Sequence, residues 1–223
     1  MFLFFSFFQY GMIGLMVTMA AGCGHLPKIV VLHDPLSPEE HFQLALTYEK
    51  KKEYGLALKE YEEVLKKKQF LEDAWTNMAN IYLVQGKPGL AEEFYLKSIR
   101  INPFYGKAYN NLAWLYLTQN EKLDQAEQLL LEAINRDPRL SADFLDTLSY
   151  IYEKEGRWDK ALETLKKAES AGFEGRPGEA FQFYQHLEKV LTFLGRLTEA
   201  GQAHQKATAL SNPVNQEISA HGH

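Results

Sequence analysis

Residues 75–103 read WTNMANIYLVQGKPGLAEEFYLKSIRINP, and this stretch decides the fold. Gly86 and Pro88 interrupt it near its middle and separate two apolar patterns. The apolar residues before the interruption recur at i, i+3, i+4 and i+7, which places on one helix face Trp75, Met78, Ala79 and Tyr82. The apolar stripe after it consists of Ala91, Tyr95 and Ile99. The stretch therefore predicts two α-helices joined by a short turn, that is, a helical hairpin.

The same hairpin pattern recurs along the chain. Each unit carries a small alanine at the same place, and the steps between these alanines are 34, 35, 35 and 39 residues. The alanines are Ala57, Ala91, Ala126, Ala161 and Ala200. A fixed period of this length is typical of stacked repeats, because one hairpin cannot bury its own apolar face. Alanine at a helix crossing lets two backbones approach, whereas a larger side chain would overpack the contact.

These residues resemble the tetratricopeptide repeat, whose pattern is a Trp, a Leu-Gly pair, a Tyr, a buried Ala, a Phe or Tyr, another Ala and a closing Pro. The resemblance covers roughly residues 38–212. It implies an all-α fold, an α-solenoid of about five helical hairpins in a right-handed superhelix. The expected repeats lie at about 38–71, 72–105, 106–140, 142–175 and 181–212.

The boundaries of the repeat domain are set by local signals. Ser37-Pro38-Glu39-Glu40 is a capping box with proline at the first helical position, which predicts the start of the first helix. We therefore place the repeat domain at 37–212 and expect residues 213–223 to form a flexible tail. No alternating apolar and polar run is long enough to predict a β-sheet.

Composition and side-chain chemistry restrict the classes of function. The net charge of −5 argues against a nucleic-acid partner, because phosphate contacts require a basic face. The single cysteine lies outside the repeats, the seven histidines are scattered, and no glycine-rich phosphate loop is present. The sequence predicts no catalytic residue, no cofactor and no metal site. We expect a protein that is not an enzyme.

The first 23 residues form a separate signal. Residues 1–22 contain no charged side chain and end at Ala20-Ala21-Gly22-Cys23. This arrangement resembles a bacterial lipoprotein signal peptide, which implies lipid attachment at Cys23, a tether over 23–36, and a position on the outer membrane facing the periplasm. Two alternatives stay open. Residues 1–22 could be a retained membrane helix, because about 20 apolar residues span a bilayer. The protein could also be secreted with an incidental cysteine.

A second stripe on the first helix of each hairpin, rotated by about 100° from the core stripe, is the candidate binding surface. In the family that the sequence resembles, this stripe lines the concave groove. Here it consists of Phe42, Leu46, Thr76, Asn80, Leu83, Asn110, Trp114, Leu117, Asp146 and Tyr150, and it continues into the fifth unit at Gln185 and Lys189. Aromatic anchors among polar groups are typical of protein-binding surfaces. The alternative is that Trp114 packs between hairpins and the asparagines only tie neighbouring helices together.

Together these features predict a membrane-tethered scaffold of the cell envelope. Its groove is expected to bind an extended or helical segment of a protein partner, and assembly of an envelope machine is one role that would use it. Glu39, Asp73 and Asp146 make the predicted groove acidic, which argues against a partner with a free carboxylate. The alternative function is an accessory subunit of an envelope enzyme or secretion complex, held by a retained anchor and without a peptide groove.

Overall fold

A computed structural model describes residues 34–138, 141–173 and 176–211, with the backbone alone at position 141. This part of the chain contains ten α-helices and no β-strand. The helices are α1 (Pro38–Lys50), α2 (Tyr54–Lys66), α3 (Leu71–Val84), α4 (Pro88–Ile101), α5 (Gly106–Gln119), α6 (Leu123–Arg136), α7 (Ser141–Lys154), α8 (Trp158–Ala171), α9 (Pro177–Phe193) and α10 (Leu197–Ser211).

The helices pack as five successive hairpins, which confirms the predicted all-α solenoid. Each odd-numbered helix packs against the next helix in the chain, and the second helix of one hairpin contacts the first helix of the following one. First helices of neighbouring hairpins also touch, because α3 contacts α5 and α5 contacts α7. The fifth hairpin begins at Pro177, earlier than the predicted position 181. Proline at the first helical position explains the earlier start, since its missing N–H is not needed there.

The repeated alanines lie where helices cross, as predicted. Ala57, Ala91, Ala126 and Ala161 have no exposed surface, and Ala200 is buried as well. Large side chains fill the space beside them, including the fully buried ring of Tyr95. The small residues thus allow close helix contact, and the aromatic residues complete the core between hairpins.

The turn inside each hairpin requires a left-handed backbone. Gly86, Gly156 and Gly195 have φ values of 70°, 74° and 73° at equivalent turns. In the third hairpin this place is taken by Asn120, with φ of 55°. Asparagine is one of the few residues with a side chain that adopts this conformation readily, so the turn keeps its shape without glycine.

The start of the domain is fixed as the sequence predicts. The Ser37 side chain accepts a hydrogen bond from the Glu40 backbone amide, and the Glu40 carboxylate accepts one from the Ser37 amide. Just before this cap, Asp34 pairs with His41 and with Lys67 at 3.2 Å. The hydrogen bond from the Leu36 amide, with smaller effects of His41 and Lys67, lowers the pKa of Asp34 to about 2. Residues 34–37 are therefore attached to the first hairpin.

Several predictions concern residues outside the described part of the chain. The signal-peptide segment 1–22, the lipid-attachment site Cys23, most of the tether 23–36 and the tail 213–223 belong to this group. Among the helices that are described, none has both the length and the apolar character needed to cross a bilayer.

Candidate partner-binding groove

Two open clefts lie along the first helices of the last three hairpins. The larger cleft, of about 420 Å³, is bounded by α5, α7 and α9 and is lined among others by Asn110, Phe144, Phe173 and Gln182. The second cleft, of about 340 Å³, is lined by Leu117, Thr118, Tyr150, Glu153, Lys154 and Lys189. Trp114 borders both clefts. We call the two clefts with this shared wall the α5–α7–α9 groove.

Three aromatic rings in contact with one another lead from the wall of the groove into the core. The Trp114 ring lies 5.1 Å from the Tyr150 ring at an angle of 51°, and Tyr150 stacks on His186 at 3.5 Å with 10° between the planes. Trp114 keeps 36% of its surface exposed, whereas His186 is buried. Trp114 therefore packs between hairpins and also presents an apolar face to solvent. Its environment combines the two interpretations from the sequence, a binding-surface residue and a packing residue.

His186 is held between two carboxylates. Its Nδ1 lies 2.7 Å from Asp146 Oδ1, and its Nε2 contacts Glu153 Oε1. Carboxylates only accept hydrogen bonds, so both contacts are satisfied together only when the imidazole carries a proton on each nitrogen. Lys189 Nζ lies 2.6 Å from the other oxygen of Glu153. The cluster joins α7 to α9 directly behind the exposed rings.

The pKa values of the cluster agree with a charged histidine. Burial by itself lowers the pKa of His186, but hydrogen bonds and charge from Asp146 and Glu153 outweigh it, and the pKa lies above its usual value. Burial likewise raises the pKa of Glu153, but the hydrogen bonds from His186 and Lys189 outweigh burial and lower it. The imidazolium and the Glu153 carboxylate therefore stabilise each other's charged forms.

The groove is less acidic than the sequence predicts. Asp146 is neutralised by His186, and Asp143 pairs with Arg176 at the rim of the larger cleft. Asp73 accepts a hydrogen bond from the Tyr105 hydroxyl at 2.5 Å. Of the three predicted acidic residues only Asp146 is paired with a cation in the described part of the chain, because Asp73 and Glu39 accept hydrogen bonds from the neutral side chains of Tyr105 and Gln43. The expectation that the groove disfavours a free carboxylate is therefore weakened at Asp146 and stays a prediction for the other two.

Half of the predicted groove residues meet in this region. Asn110, Trp114, Leu117, Asp146 and Tyr150 all line one of the two clefts. Asn110 Oδ1 accepts a hydrogen bond of 2.7 Å from the Thr147 hydroxyl, which leaves its side-chain amide group able to donate. Leu117 is only 7% exposed, so it forms part of the cleft floor and offers little contact area.

The prediction for Thr76 is wrong. Thr76 has no exposed surface, and its hydroxyl donates a 2.9 Å hydrogen bond to the Ser98 hydroxyl. Ser98 in turn donates to the Glu72 backbone carbonyl at 2.9 Å. A first helix in this solenoid is covered on more of its circumference than one stripe, because α3 contacts both α4 and α5. The stripe rule places Thr76 too far from the core.

Asn80 follows the alternative interpretation of the asparagines. Its Oδ1 accepts hydrogen bonds from the Tyr95 hydroxyl at 2.6 Å and from the Asn111 amide at 3.1 Å. These contacts tie α3 to α4 and α5. Asn80 therefore acts as a link between neighbouring helices, and its acceptor is already occupied.

Replacing Asn80 should weaken folding without affecting the groove. We expect Asn80→Ala to lower the free energy of unfolding by about 1–3 kcal/mol, since the buried Tyr95 hydroxyl loses its acceptor. Urea unfolding followed by circular dichroism measures the loss. Asn135→Ala, an exposed position on α6, is the control and should change stability by less than about 0.5 kcal/mol. Equal stability of the two variants would show that the link is unimportant.

The three remaining predicted residues do not line the two clefts. Phe42 packs on Tyr61 and Phe70, with ring centroids 5.7 and 5.5 Å apart. Leu46 is half-buried on α1, and Leu83 is 38% exposed near the end of α3. These side chains belong to the first two hairpins, at a distance along the solenoid from the α5–α7–α9 groove.

Sequence reasoning missed His186, although a signal for it exists. Trp114, Tyr150 and His186 follow one another at steps of 36 residues, the spacing expected for equivalent positions in successive repeats. The sequence prediction instead takes Tyr184 as the core residue of the fifth unit, which places Gln185 and Lys189 on the groove stripe and passes over His186. Lys107, Phe173 and Gln182 are further lining residues that the stripe does not predict. Phe173 lies in the connection between hairpins, which the helical pattern does not cover.

Comparison with solved structures reveals the same architecture in other proteins. TTC0263, a thermophilic TPR protein of Thermus thermophilus, superposes with a TM-score of 0.62 at 22% identity over 82% of this chain and 97% of that chain. MamA from Desulfovibrio magneticus RS-1, residues 41 to the end, gives 0.59 at 16% identity over 78% and 94%. Another MamA crystal structure gives 0.57 at 23% identity over 75% and 94%. At these identities the similarity concerns the fold alone.

Sequence comparison identifies the repeat. No curated protein matches the chain. Three tetratricopeptide repeat family models match it, over residues 41–66, 70–139 and 110–180. Together these matches extend through the first four hairpins, and the fifth hairpin packs on the fourth in the same way. The chain belongs to the tetratricopeptide repeat family.

Proposed function

We propose that this protein is a binding scaffold, not an enzyme, and that the α5–α7–α9 groove holds a segment of a partner protein. One observation carries the proposal: Trp114 stands exposed between two clefts and is braced from behind by Tyr150 and the charged His186 cluster. A large aromatic side chain that is held rigidly beside pockets is typical of binding hot spots, because little conformational entropy is lost when a partner contacts it.

The chemistry of the lining favours a peptide-like ligand. An apolar side chain of the partner can pack on the exposed face of Trp114, with the half-buried Phe173 as further apolar surface in the larger cleft. The Asn110 and Gln182 amides can pair with a peptide backbone of any sequence, since each carries donors and an acceptor. The groove therefore suits an extended or helical segment in which one apolar residue serves as the anchor.

The cellular setting belongs to the same proposal. The uncharged stretch 1–22 followed by Cys23 supports a lipid-anchored protein of the cell envelope, on the outer membrane and facing the periplasm. There it assists assembly of an envelope machine through its protein partners. One acyl chain is a marginal anchor, and two or three give stable attachment. Incorporation of a radioactive fatty acid into the wild type but not into Cys23→Ser is the corresponding measurement.

Photo-crosslinking in intact cells tests the groove directly. We expect Trp114→p-benzoylphenylalanine to give a discrete protein adduct, because the probe stands where the partner's anchor residue binds. The matched control carries the same probe at Leu131, which is 43% exposed on α6 and does not line the clefts. Equal adduct patterns at both positions would remove the groove as the binding site and leave the accessory-subunit alternative.

A further inference from the structure

The turns that join α2 to α3 and α4 to α5 present a patch of cations and apolar side chains. Phe104 is 66% exposed, Ile101 50% and Phe70 38%, which are high values for large apolar residues. The cations of these two turns are exposed as well. We call this surface the turn patch and define it by Lys66, Lys68, Phe70, Arg100, Ile101 and Phe104.

The two turns are fixed side by side. The Asn102 amide donates a 2.9 Å hydrogen bond to the Glu72 carboxylate, and the Tyr105 hydroxyl donates to Asp73 at 2.5 Å. Glu72 and Asp73 lie in the first turn of α3, directly after Phe70. The second turn is therefore held against the start of the helix that follows the first turn.

The cations of the turn patch are available for an external ligand. Within the described ranges, neither Lys68 nor Arg100 has a carboxylate at ion-pairing distance, and Lys66 has only the exposed Glu63 at 2.6 Å. The opposite edge of the solenoid also exposes apolar residues, including Phe193. The cations next to Phe193 are paired, since Arg157 contacts Glu155 and Arg196 contacts Glu199. Nearer the N-terminus the same edge carries the exposed lysines at 50–52, which have no ion pair within the described ranges.

The N-terminal segment joins the domain beside the turn patch. Lys67, between two cations of the patch, pairs with Asp34 and donates a hydrogen bond to the Leu36 carbonyl. Ten residues lie between Cys23 and Asp34, and the eleven Cα-to-Cα steps can reach about 36 Å at most. A lipid at Cys23 would thus keep the domain within this distance of the membrane. The reach exceeds the length of α2, about 20 Å for 13 residues, so the character of the patch and not the tether selects this edge.

We propose that the turn patch is a membrane-contact surface that binds anionic phospholipid headgroups. Lys68 and Arg100 face the headgroups, and Phe104 and Ile101 lie at the boundary between headgroups and acyl chains. Each cation near an anionic leaflet strengthens binding by roughly fivefold, and apolar side chains at the interface add to it. The proximity of the membrane rests on the proposed lipid anchor; the charge and apolar character belong to the patch itself.

Membrane contact through this edge has a consequence for the groove. The patch belongs to the first three hairpins, whereas the α5–α7–α9 groove belongs to the last three. The two surfaces share the third hairpin, since Phe104 lies two residues before Gly106 in the wall of the larger cleft, whereas the second cleft is lined by Trp114 and residues after it. The same molecule can then hold the membrane and a partner protein together.

Lipid photo-crosslinking of the full chain in membranes tests the patch. We expect Phe104→p-benzoylphenylalanine to form phospholipid adducts, detected as mass shifts, with a yield at least about fivefold above the same probe at Phe193. Phe193 is the matched control because it is 61% exposed on the opposite edge. Adding Lys68→Asn and Arg100→Glu should lower the adduct yield at position 104 by about 25-fold, from about fivefold for each cation removed. Asn suits the left-handed backbone at Lys68, where φ is 55°.

Other outcomes overturn the proposal. Equal lipid yields at positions 104 and 193, or a protein adduct at 104 in place of lipid, would show that the patch does not contact the membrane. The fatty-acid label on Cys23 reports the anchor separately, and the probe at Trp114 reports the groove separately. Lipid adducts at position 104 without fatty-acid incorporation at Cys23 would support membrane contact through the turn patch and contradict the lipid anchor. Fatty-acid incorporation at Cys23 without a higher lipid-adduct yield at position 104 than at position 193 would contradict membrane contact through the turn patch.

Discussion

Trp114→Ala is expected to weaken binding of the partner captured in the groove by about 30-fold or more, which corresponds to about 2 kcal/mol. The reason is that Trp114 is the exposed wall between the two clefts, so its loss removes the apolar contact surface from both of them at once. The ring is also rigid before binding, because it packs on Tyr150 at 5.1 Å. Calorimetric titration of the purified partner into each variant measures the change.

The control for Trp114 must remove exposed apolar surface elsewhere. Leu131→Ala does so on α6, outside the clefts, and should change affinity by less than about twofold. Circular dichroism at the temperature of the titration verifies that both variants are folded. An affinity for Trp114→Ala within about threefold of the wild type would show that the partner does not use this wall.

His186→Phe is expected to lower the free energy of unfolding by about 3–5 kcal/mol. Phenylalanine keeps an aromatic ring against Tyr150 but cannot donate to either carboxylate. Asp146 and Glu153 then face an apolar ring without their shared cation, and Glu153 has a side chain that is only 7% exposed. Urea unfolding of the wild type and the variant measures the loss of stability.

The stability loss of His186→Phe should also depend on pH. The pKa of His186 is raised on folding, so its contribution is complete below the unfolded pKa of about 6.5 and is lost as pH rises through the folded pKa. The pKa of Glu153 is lowered, so its contribution is lost as pH falls through its folded pKa. The stability gap between wild type and variant is therefore largest near about pH 6 and narrows at alkaline pH.

A second histidine pair provides the control for this result. His204 lies 3.1 Å from Glu188, but its side chain is 64% exposed. We expect His204→Phe to change stability by less than about 1 kcal/mol, because exposed ion pairs contribute little. A loss for His186→Phe as small as that for His204→Phe, or a gap that stays constant across the pH range, would contradict the charged-histidine cluster.

The fold was predictable from the sequence because its determinants are local and repeated. Ala91, Gly86 and Pro88 each act within a few residues, through helix crossing, turn geometry and helix initiation. Their recurrence every 34 to 39 residues then requires stacked hairpins, because no single hairpin buries its own face. The capping box at Ser37 placed the start of α1 correctly for the same local reason.

The groove was predictable only in part. Asn110, Trp114 and Tyr150 lie in it because their helix positions face away from the second helix of their own hairpin. Thr76 and Asn80 have equivalent positions in the sequence but are engaged by residues 22 and 15 positions away, Ser98 and Tyr95. A helix-face rule cannot anticipate which side chain of a neighbouring helix will occupy a given polar group, since that depends on the packing distance between helices.

The sequence alone determined the class of fold, the number of hairpins and the register of the core, because helical periodicity and small residues at crossings suffice for these. Tertiary structure decided the chemistry of the surfaces. It brought His186 between Asp146 and Glu153, from positions 40 and 33 residues away, and so converted acidic residues into a charged cluster behind Trp114. Charge pairing depends on the distance between two side chains in space, which is a few ångströms here. The number of residues between them in the sequence does not determine that distance.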